Sequence, residues 1–516
     1  MKKKVMAMVL AAALIFTIAG CGNEKNEQKD NGGKITIDWV PQNDSPVDAD
    51  SPVIALLEEK FGVDFNFIYM DRNQESELLN VRIAGGEIPD VVQVKDTVYR
   101  SYAKQGVLSE LPEDTIKQKA PQFYDQMKQY AGEDIWDVVK CSGKLYGMPT
   151  LNDTGRYHFV PIWRDDWLRA VGIDKIPETV EEAEVAFYKF VNDDPDGNGK
   201  KDTYAMSSHG INAIFNAYGA HPLKYYWTEQ DGKIVQSAVL PEMKEALRLL
   251  NRYYKDGLID PEFITGENKG QYWANTPPFI NGMIGFSLPG MYYHISATQQ
   301  DKESATSFWG SFHQLQGENA SYVPGKLLKG PEGKFGAERW GVFSGDIVAL
   351  GKNVGSNSEK LNKILEIQEA INSDFDTYLL ARYGRENVDY EVVDGIYETK
   401  IDDPKKRQAL GLNANGLIRS MSNLEFVKNC DNPEQRRFAE EYANTTDNYS
   451  TLVWGGLESD GIYKAIVEQK IQENYYAFIT GARSIDEFDQ FVEELNKAGL
   501  EQLTKEANEW YNERYR

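Results

Sequence analysis

Ile35-Thr36-Ile37-Asp38-Trp39-Val40 alternates apolar and polar side chains, the period-two pattern of a strand with one buried face. Pro52 to Phe61 follows with helical spacing and stops at Gly62, and Val63-Asp64-Phe65-Asn66-Phe67-Ile68 alternates again. Helical spacing returns up to Ala84, where the breaker cluster Ala84-Gly85-Gly86-Glu87-Ile88-Pro89-Asp90 ends it and Val91-Val92 opens a buried strand. Strand, helix, strand, helix, strand predicts a parallel sheet with helices on both faces, a layout that takes ligands at the carboxyl ends of its strands.

Further along, Thr179 and Glu182 form the pattern of a capping box, with Val180, Ala183, Phe187, Phe190 and Val191 as an apolar stripe. Ser484 and Glu487 repeat the device for Ile485, Phe488, Phe491, Val492 and Leu495, with Gly499 past the predicted end, and a last helix runs through Trp510. The 516 residues exceed what one core usually supports, so two lobes or more are expected. The formal net charge of −24 disfavours phosphate backbones and anionic lipid headgroups, and no run of interleaved basic and aromatic residues offsets it, so nucleic acid is not an expected partner. Three cysteines are too few for a disulfide scaffold or a four-thiolate metal site.

At the start, Lys2, Lys3 and Lys4 precede an apolar run from Val5 to Gly20, shorter than the roughly 20 residues a spanning helix needs. The run ends Ile18-Ala19-Gly20-Cys21, which resembles a bacterial lipobox and marks Cys21 for lipidation; an ordinary secretory peptide is the alternative. Gly22 to Lys34 holds no large apolar side chain and reads as a solvated tether reaching on the order of 20 Å. Cys141 and Cys430 then remain, paired or as buried thiols.

Five phrases in order resemble extracellular solute-binding proteins of family one, the receptors of sugar-importing ABC transporters. They are Ala84 to Asp90; Gly143-Lys144-Leu145-Tyr146-Gly147-Met148-Pro149; Arg164-Asp165-Asp166-Trp167-Leu168 with Gly172; Asp256-Gly257-Leu258-Ile259-Asp260-Pro261; and Asn281-Gly282-Met283-Ile284-Gly285-Phe286. The resemblance implies an α/β, bilobal periplasmic-binding-protein-like fold of type II, two α/β lobes joined by a multi-segment hinge that closes on a ligand. The expected division is 1–20 as lipoprotein signal peptide, 21–34 as tether, 35–150 with 345–400 as the N-terminal lobe, and 151–344 with 401–516 as the C-terminal lobe. It also implies a monomeric, lipid-anchored receptor on the outer face of the cell membrane, delivering an oligosaccharide to the permease subunits of an ABC importer.

Asp194-Pro195-Asp196-Gly197-Asn198-Gly199-Lys200-Lys201-Asp202 follows the capped helix. Against the EF-hand calcium loop, Asp194, Asp196 and Asn198 take positions one, three and five, Gly199 the sharp turn, Lys200 the carbonyl position and Asp202 position nine. Ala205 replaces the bidentate Glu at position twelve, so the loop must close otherwise. Similarity to alginate-type binding proteins implies a structural calcium ion closed by Asp202, with Thr203 as a further candidate. An ion-free acidic turn is the competing reading.

A sugar site needs flat apolar faces for pyranose rings and polar groups for hydroxyls. Position relative to the motifs selects Asn152, Asp153, Tyr157, Tyr292 and Tyr293, with Trp309, Trp340 and Trp454 as further stacking candidates, each against the alternative of a core or hinge role. No enzyme is expected. The five histidines form no His-Glu-x-x-His pair, and Gly285-Phe286-Ser287-Leu288-Pro289 fails the nucleophile-elbow pattern at Pro289. A same-fold receptor for another solute such as a peptide, and more remotely a glycosidase with two carboxylates distant in sequence, stay open at this level.

Overall fold

The computed structural model describes residues 34–516 except 42, 72–73, 268–275, 306, 344, 413–422, 445–450 and 454–455. Cys21, the expected signal peptide, nearly all of the tether and Trp454 lie outside the described residues.

Strands β1 (Ile35–Val40), β2 (Val63–Phe67) and β3 (Val91–Lys95) pair in parallel, as their spacing predicts. Two strands from later in the chain extend this sheet: β10 (Asp346–Leu350) pairs antiparallel with β3, and β4 (Gly147–Pro149) pairs antiparallel with β10 and so runs with the first three, giving the order β2-β1-β3-β10-β4. The chain therefore leaves the first sheet after Pro149 and returns to it at Asp346. In between, β5 (Val160–Arg164) sits at the centre of a second, antiparallel sheet with β8 (Phe286–Gly290) and β9 (Tyr322–Pro324). The hairpins β6–β7 (Trp227–Gln230, Lys233–Gln236) and β11–β12 (Tyr390–Val393, Ile396–Thr399) stand apart.

Two apolar cores match the two sheets. One gathers Ile37, Trp39, Val91, Ile347 and Ile364, and also takes Leu412. The other gathers Trp163, Phe187, Phe190, Phe286, Tyr475 and Phe491, with Trp163 stacked on Phe187 at 5.6 Å. Full burial of each such side chain contributes about 1.5–3 kcal/mol, so each lobe has a core able to hold itself together. Cys141 and Cys430 are buried free thiols.

Local signals worked to different degrees. The first helix spans Pro52–Phe61 and ends at Gly62 in the left-handed region (φ 65°). Thr179 caps Val180–Asn192 by accepting from the Glu182 amide, but the Glu182 carboxylate reaches back to the Glu178 amide (2.8 Å), one residue beyond the box. Ser484 caps a 3-10 turn (Ile485–Glu487) ahead of the helix Phe488–Leu495. Gly499, at φ 117°, lies inside a π-turn that carries the chain on into the helix Glu501–Tyr515 instead of ending it. Among the described residues no helix is long and apolar enough to cross a membrane.

Candidate functional site

The two passages between the sheets run side by side. Asn152 donates its amide to the Val342 carbonyl (2.9 Å), Gly341 to Gly155 (2.8 Å) and Phe159 to Glu338 (3.1 Å), so residues 152–159 and 338–342 form a two-stranded hinge. A third passage joins them where His158 donates to the Ala443 carbonyl (3.1 Å), at the end of the helix Pro433–Tyr442. Paired connecting segments between two packed lobes are the kind of element that absorbs hinge bending.

Beside this hinge opens a cavity of about 710 Å³. Lys95, the last residue of β3, and Asp346, the first residue of the antiparallel β10, face it from the carboxyl end of the parallel strands, the position expected of such a sheet. The opposite wall carries the consecutive aromatics Tyr225, Tyr226 and Trp227, and the hinge supplies Asn152, Arg339 and Trp340. Tyr225 sits at φ 55°, an uncommon left-handed conformation for a bulky residue, and packs edge-on against Trp227 at 5.7 Å. Lys464 lies over its ring, 5.3 Å from the centroid. The lobes also touch directly: the Gly456 amide donates to the Asp96 carboxylate across 3.2 Å.

Across the hinge strand a second chamber of about 330 Å³ is lined in part by Arg156, Arg339, Phe343 and Tyr515. Next to it, Asp153 pairs with Arg156 (3.2 Å), whose guanidinium lies over Tyr157 (4.9 Å). Tyr157 donates its hydroxyl to Glu440 (2.9 Å) and meets Tyr292 edge-on at 5.0 Å; Tyr292 meets Tyr293 at 5.4 Å. Burial raises the Asp153 carboxyl despite Arg156, and burial pushes the Tyr157 hydroxyl up to about 12.

Of the residues chosen from sequence, Asn152 and Trp340 thus line the cavity, while Asp153, Tyr157, Tyr292 and Tyr293 form one polar-aromatic cluster beside the hinge. Trp309 stacks on His313 (3.8 Å) within the helix Phe308–Gln316 and is not among the described residues that line either chamber. Sequence reasoning passed over Tyr225-Tyr226-Trp227, although three successive aromatics behind a proline were a visible signal. It also passed over Lys95, Lys224, Arg339 and Asp346, which gave none, because only the fold aims them at one space.

The acidic loop turns through left-handed conformations at Asp194 (φ 47°), Gly197 (φ 68°) and Gly199 (φ 75°). The Asn198 side-chain amide donates to Asp196 (2.8 Å) and Asp202 (3.2 Å), and Asp194 accepts from the Gly199 amide (3.0 Å). One Asp194 oxygen is buried with no hydrogen-bond partner. Burial, then contact with Asp194 and the charges of Asp202 and Asp194, raises the Asp196 carboxyl. The carboxylates crowd one another around the Asn198 amide, whose oxygen accepts from the Lys200 backbone amide (2.7 Å), and among the described residues no three His, Cys, Asp or Glu side chains form a group that could hold a metal ion. Thr203 is turned away, donating its hydroxyl to the Phe190 carbonyl (2.7 Å).

The sequence model of the bacterial extracellular solute-binding proteins matches residues 52–330. Over 99% of its length the chain is 25% identical to lipoprotein LipO of Bacillus subtilis (strain 168), covering 98% of that protein. It is 23% identical to the polygalacturonan/rhamnogalacturonan-binding protein YtcQ of the same strain, over 99% of each. Among solved structures, the ABC-transporter substrate-binding protein FusA of S. pneumoniae in complex with kestose superposes with a TM-score of 0.66 at 18% identity, covering 93% of this chain and 99% of that one. Alginate-binding protein AlgQ2 without calcium ion gives 0.66 at 18%, covering 93% and 98%. At such identities these structures speak for the fold, which is the bilobal one, while the family match covers more than half of the sequence: the chain belongs to the bacterial extracellular solute-binding proteins.

Proposed function

We propose that this protein captures an oligosaccharide between its lobes and presents it to the permease of an ABC importer. The observation that carries the reading is the cavity at the hinge. It combines aromatic faces at Tyr225, Tyr226, Trp227 and Trp340 with polar groups at Asn152, Lys95 and Asp346, the two surfaces a pyranose ring needs. A ligand touching both lobes binds the closed form preferentially and shifts the population towards it, which lets a permease distinguish loaded receptors from empty ones. Relatives named for polygalacturonan, rhamnogalacturonan and fructooligosaccharide support a saccharide as the solute.

In this reading Cys21 carries the lipid that holds a monomeric receptor at the outer face of the cell membrane, where two or more chains retain what one only delays. A calcium ion would be held by Asp194, Asp196, Asn198, the Lys200 carbonyl and Asp202, stiffening the loop after the helix Val180–Asn192 without taking part in ligand chemistry. The protein binds its ligand and leaves it uncut. Calorimetric titration against a panel of plant and microbial oligosaccharides, with chromatography of the recovered sugar, tests this. Saturable binding with intact recovery is expected; cleavage, or binding to none of the panel, overturns it.

A further inference from the structure

We infer that the cleft is built for an oligosaccharide bearing carboxylates, a uronic-acid oligomer, with Arg339 as the side chain that reads the acid group. The inference rests on the saccharide-receptor reading and narrows it. In a chain of net charge −24, the cavity wall presents four cations, Lys95, Lys224, Arg339 and Lys464, against two carboxylates, Asp346 and Asp460. Charge of the opposite sign to the whole molecule, gathered on the wall of this cavity, attracts an anion that an acidic surface otherwise repels.

The cations are not equivalent. Lys95 is paired with Asp346 at 2.8 Å, Lys224 lies 3.6 Å from Glu338, and Lys464 rests over the Tyr225 ring. Arg339 makes no hydrogen bond or salt bridge among the described residues, and its Nε is buried without a partner. It stands on the hinge strand and lines both the 710 Å³ cavity and the 330 Å³ chamber. A partly desolvated guanidinium gains most from a carboxylate, whose two oxygens match its planar fork. The neighbouring Trp340 offers an aromatic surface to the same ring.

The two wall carboxylates do not cancel this. Asp346 is paired with Lys95, and Asp460 accepts from the Leu457 amide (2.9 Å) and lies within electrostatic reach of Lys464, so each wall carboxylate already has a partner and Arg339 has none.

The test is calorimetric titration with trimers of galacturonate, mannuronate and guluronate, each beside its methyl ester and its neutral hexose counterpart, using the wild type, R339Q and R339K. The wild type should bind at least one acid trimer about tenfold or more tighter than its ester, as expected for a charge-assisted bidentate contact. R339Q should erase the difference while leaving the neutral trimer within threefold, and R339K should restore part of it. Melting temperatures establish that each variant is folded, and the wild-type comparison of acid with ester stands without any variant. Equal or tighter binding of ester and neutral forms overturns the carboxylate inference and leaves the receptor reading intact. Binding to no saccharide of any kind overturns both.

Discussion

The Gly341 amide donates to the Gly155 carbonyl over 2.8 Å, and a Cβ built on Gly155 would stand 2.0 Å from the Gly341 oxygen. The two hinge strands are therefore in backbone contact at a point where no side chain fits. Gly155→Ala should force them apart, lowering stability by about 1–3 kcal/mol, the usual range for overpacking. Because the strands also set the angle between lobes, ligand affinity should fall further than the melting temperature alone explains. Thermal unfolding with and without ligand checks this; an unchanged melting temperature would show that the strands separate freely.

Asp96 joins the lobes from the other side of the cleft. Its carboxylate accepts from Arg100 Nε (2.8 Å) within its own helix and from the Gly456 amide (3.2 Å) of the other lobe. The second bond exists only when the lobes are together, so it stabilises the closed form. Asp96→Ala should open the unliganded protein, seen as a larger radius of gyration by X-ray scattering, and weaken ligand binding about three- to tenfold, the equivalent of one lost hydrogen bond. Scattering curves that coincide for variant and wild type would place the lobe contact elsewhere.

In the acidic loop, Asp196 is crowded by Asp194 and Asp202, and the Asn198 amide alone bridges Asp196 to Asp202. Added calcium should relieve the crowding and raise the melting temperature, chelator should reverse the gain, and Asp196→Ala should abolish it. Since Thr203 is committed to Phe190, Thr203→Val should leave the calcium increment in place. A wild type indifferent to calcium and chelator would make the loop an ion-free turn.

The parallel part of the first sheet was legible because β1, β2 and β3 each carry their own local pattern and their connecting helices are capped by local chemistry. The pairing of β10 carried no local signal, because Asp346–Leu350 joins strands some 200 to 250 positions earlier, and only the family resemblance returned 345–400 to that lobe. The site divides the same way. Asn152 could be chosen because it follows the first crossover motif and Trp340 because it is a tryptophan beside Gly341, whereas Arg339 could not, because its solitude is a property of the assembled wall. The π-turn at Gly499 shows the limit of cap reading, since a glycine that can end a helix can also be the kink that lets the chain continue.

Trp340 and Trp309 give a paired test of the cavity. Trp340 lines it beside Arg339, whereas Trp309 stacks on His313 in the helix Phe308–Gln316. Trp340→Ala should weaken oligosaccharide affinity about tenfold or more, the loss of a central aromatic contact, whereas Trp309→Ala should leave it within twofold. Equal losses would mean that the two rings act through general stability and not through stacking on the sugar.

Buried histidines set the acid limit of the fold. His158, whose Nδ1 faces the Phe159 carbonyl, and His221 are both almost fully buried, and burial brings each down to about 4. For His221 the Glu338 carboxylate, 3.5 Å from Nε2, acts in the opposite direction and is outweighed. A depressed histidine binds its proton more readily in the unfolded chain, so between the unfolded value near 6.5 and the folded value the unfolded state takes up more protons. Its stabilising contribution is complete above about 6.5 and declines as the pH falls towards 4, by on the order of 3 kcal/mol for each such group. The melting temperature should therefore drop steadily across that interval. His158→Gln, which cannot take the proton, should lower stability at neutral pH yet flatten the slope below 6.5. Wild-type and variant curves running parallel would show that the acid sensitivity arises from other groups.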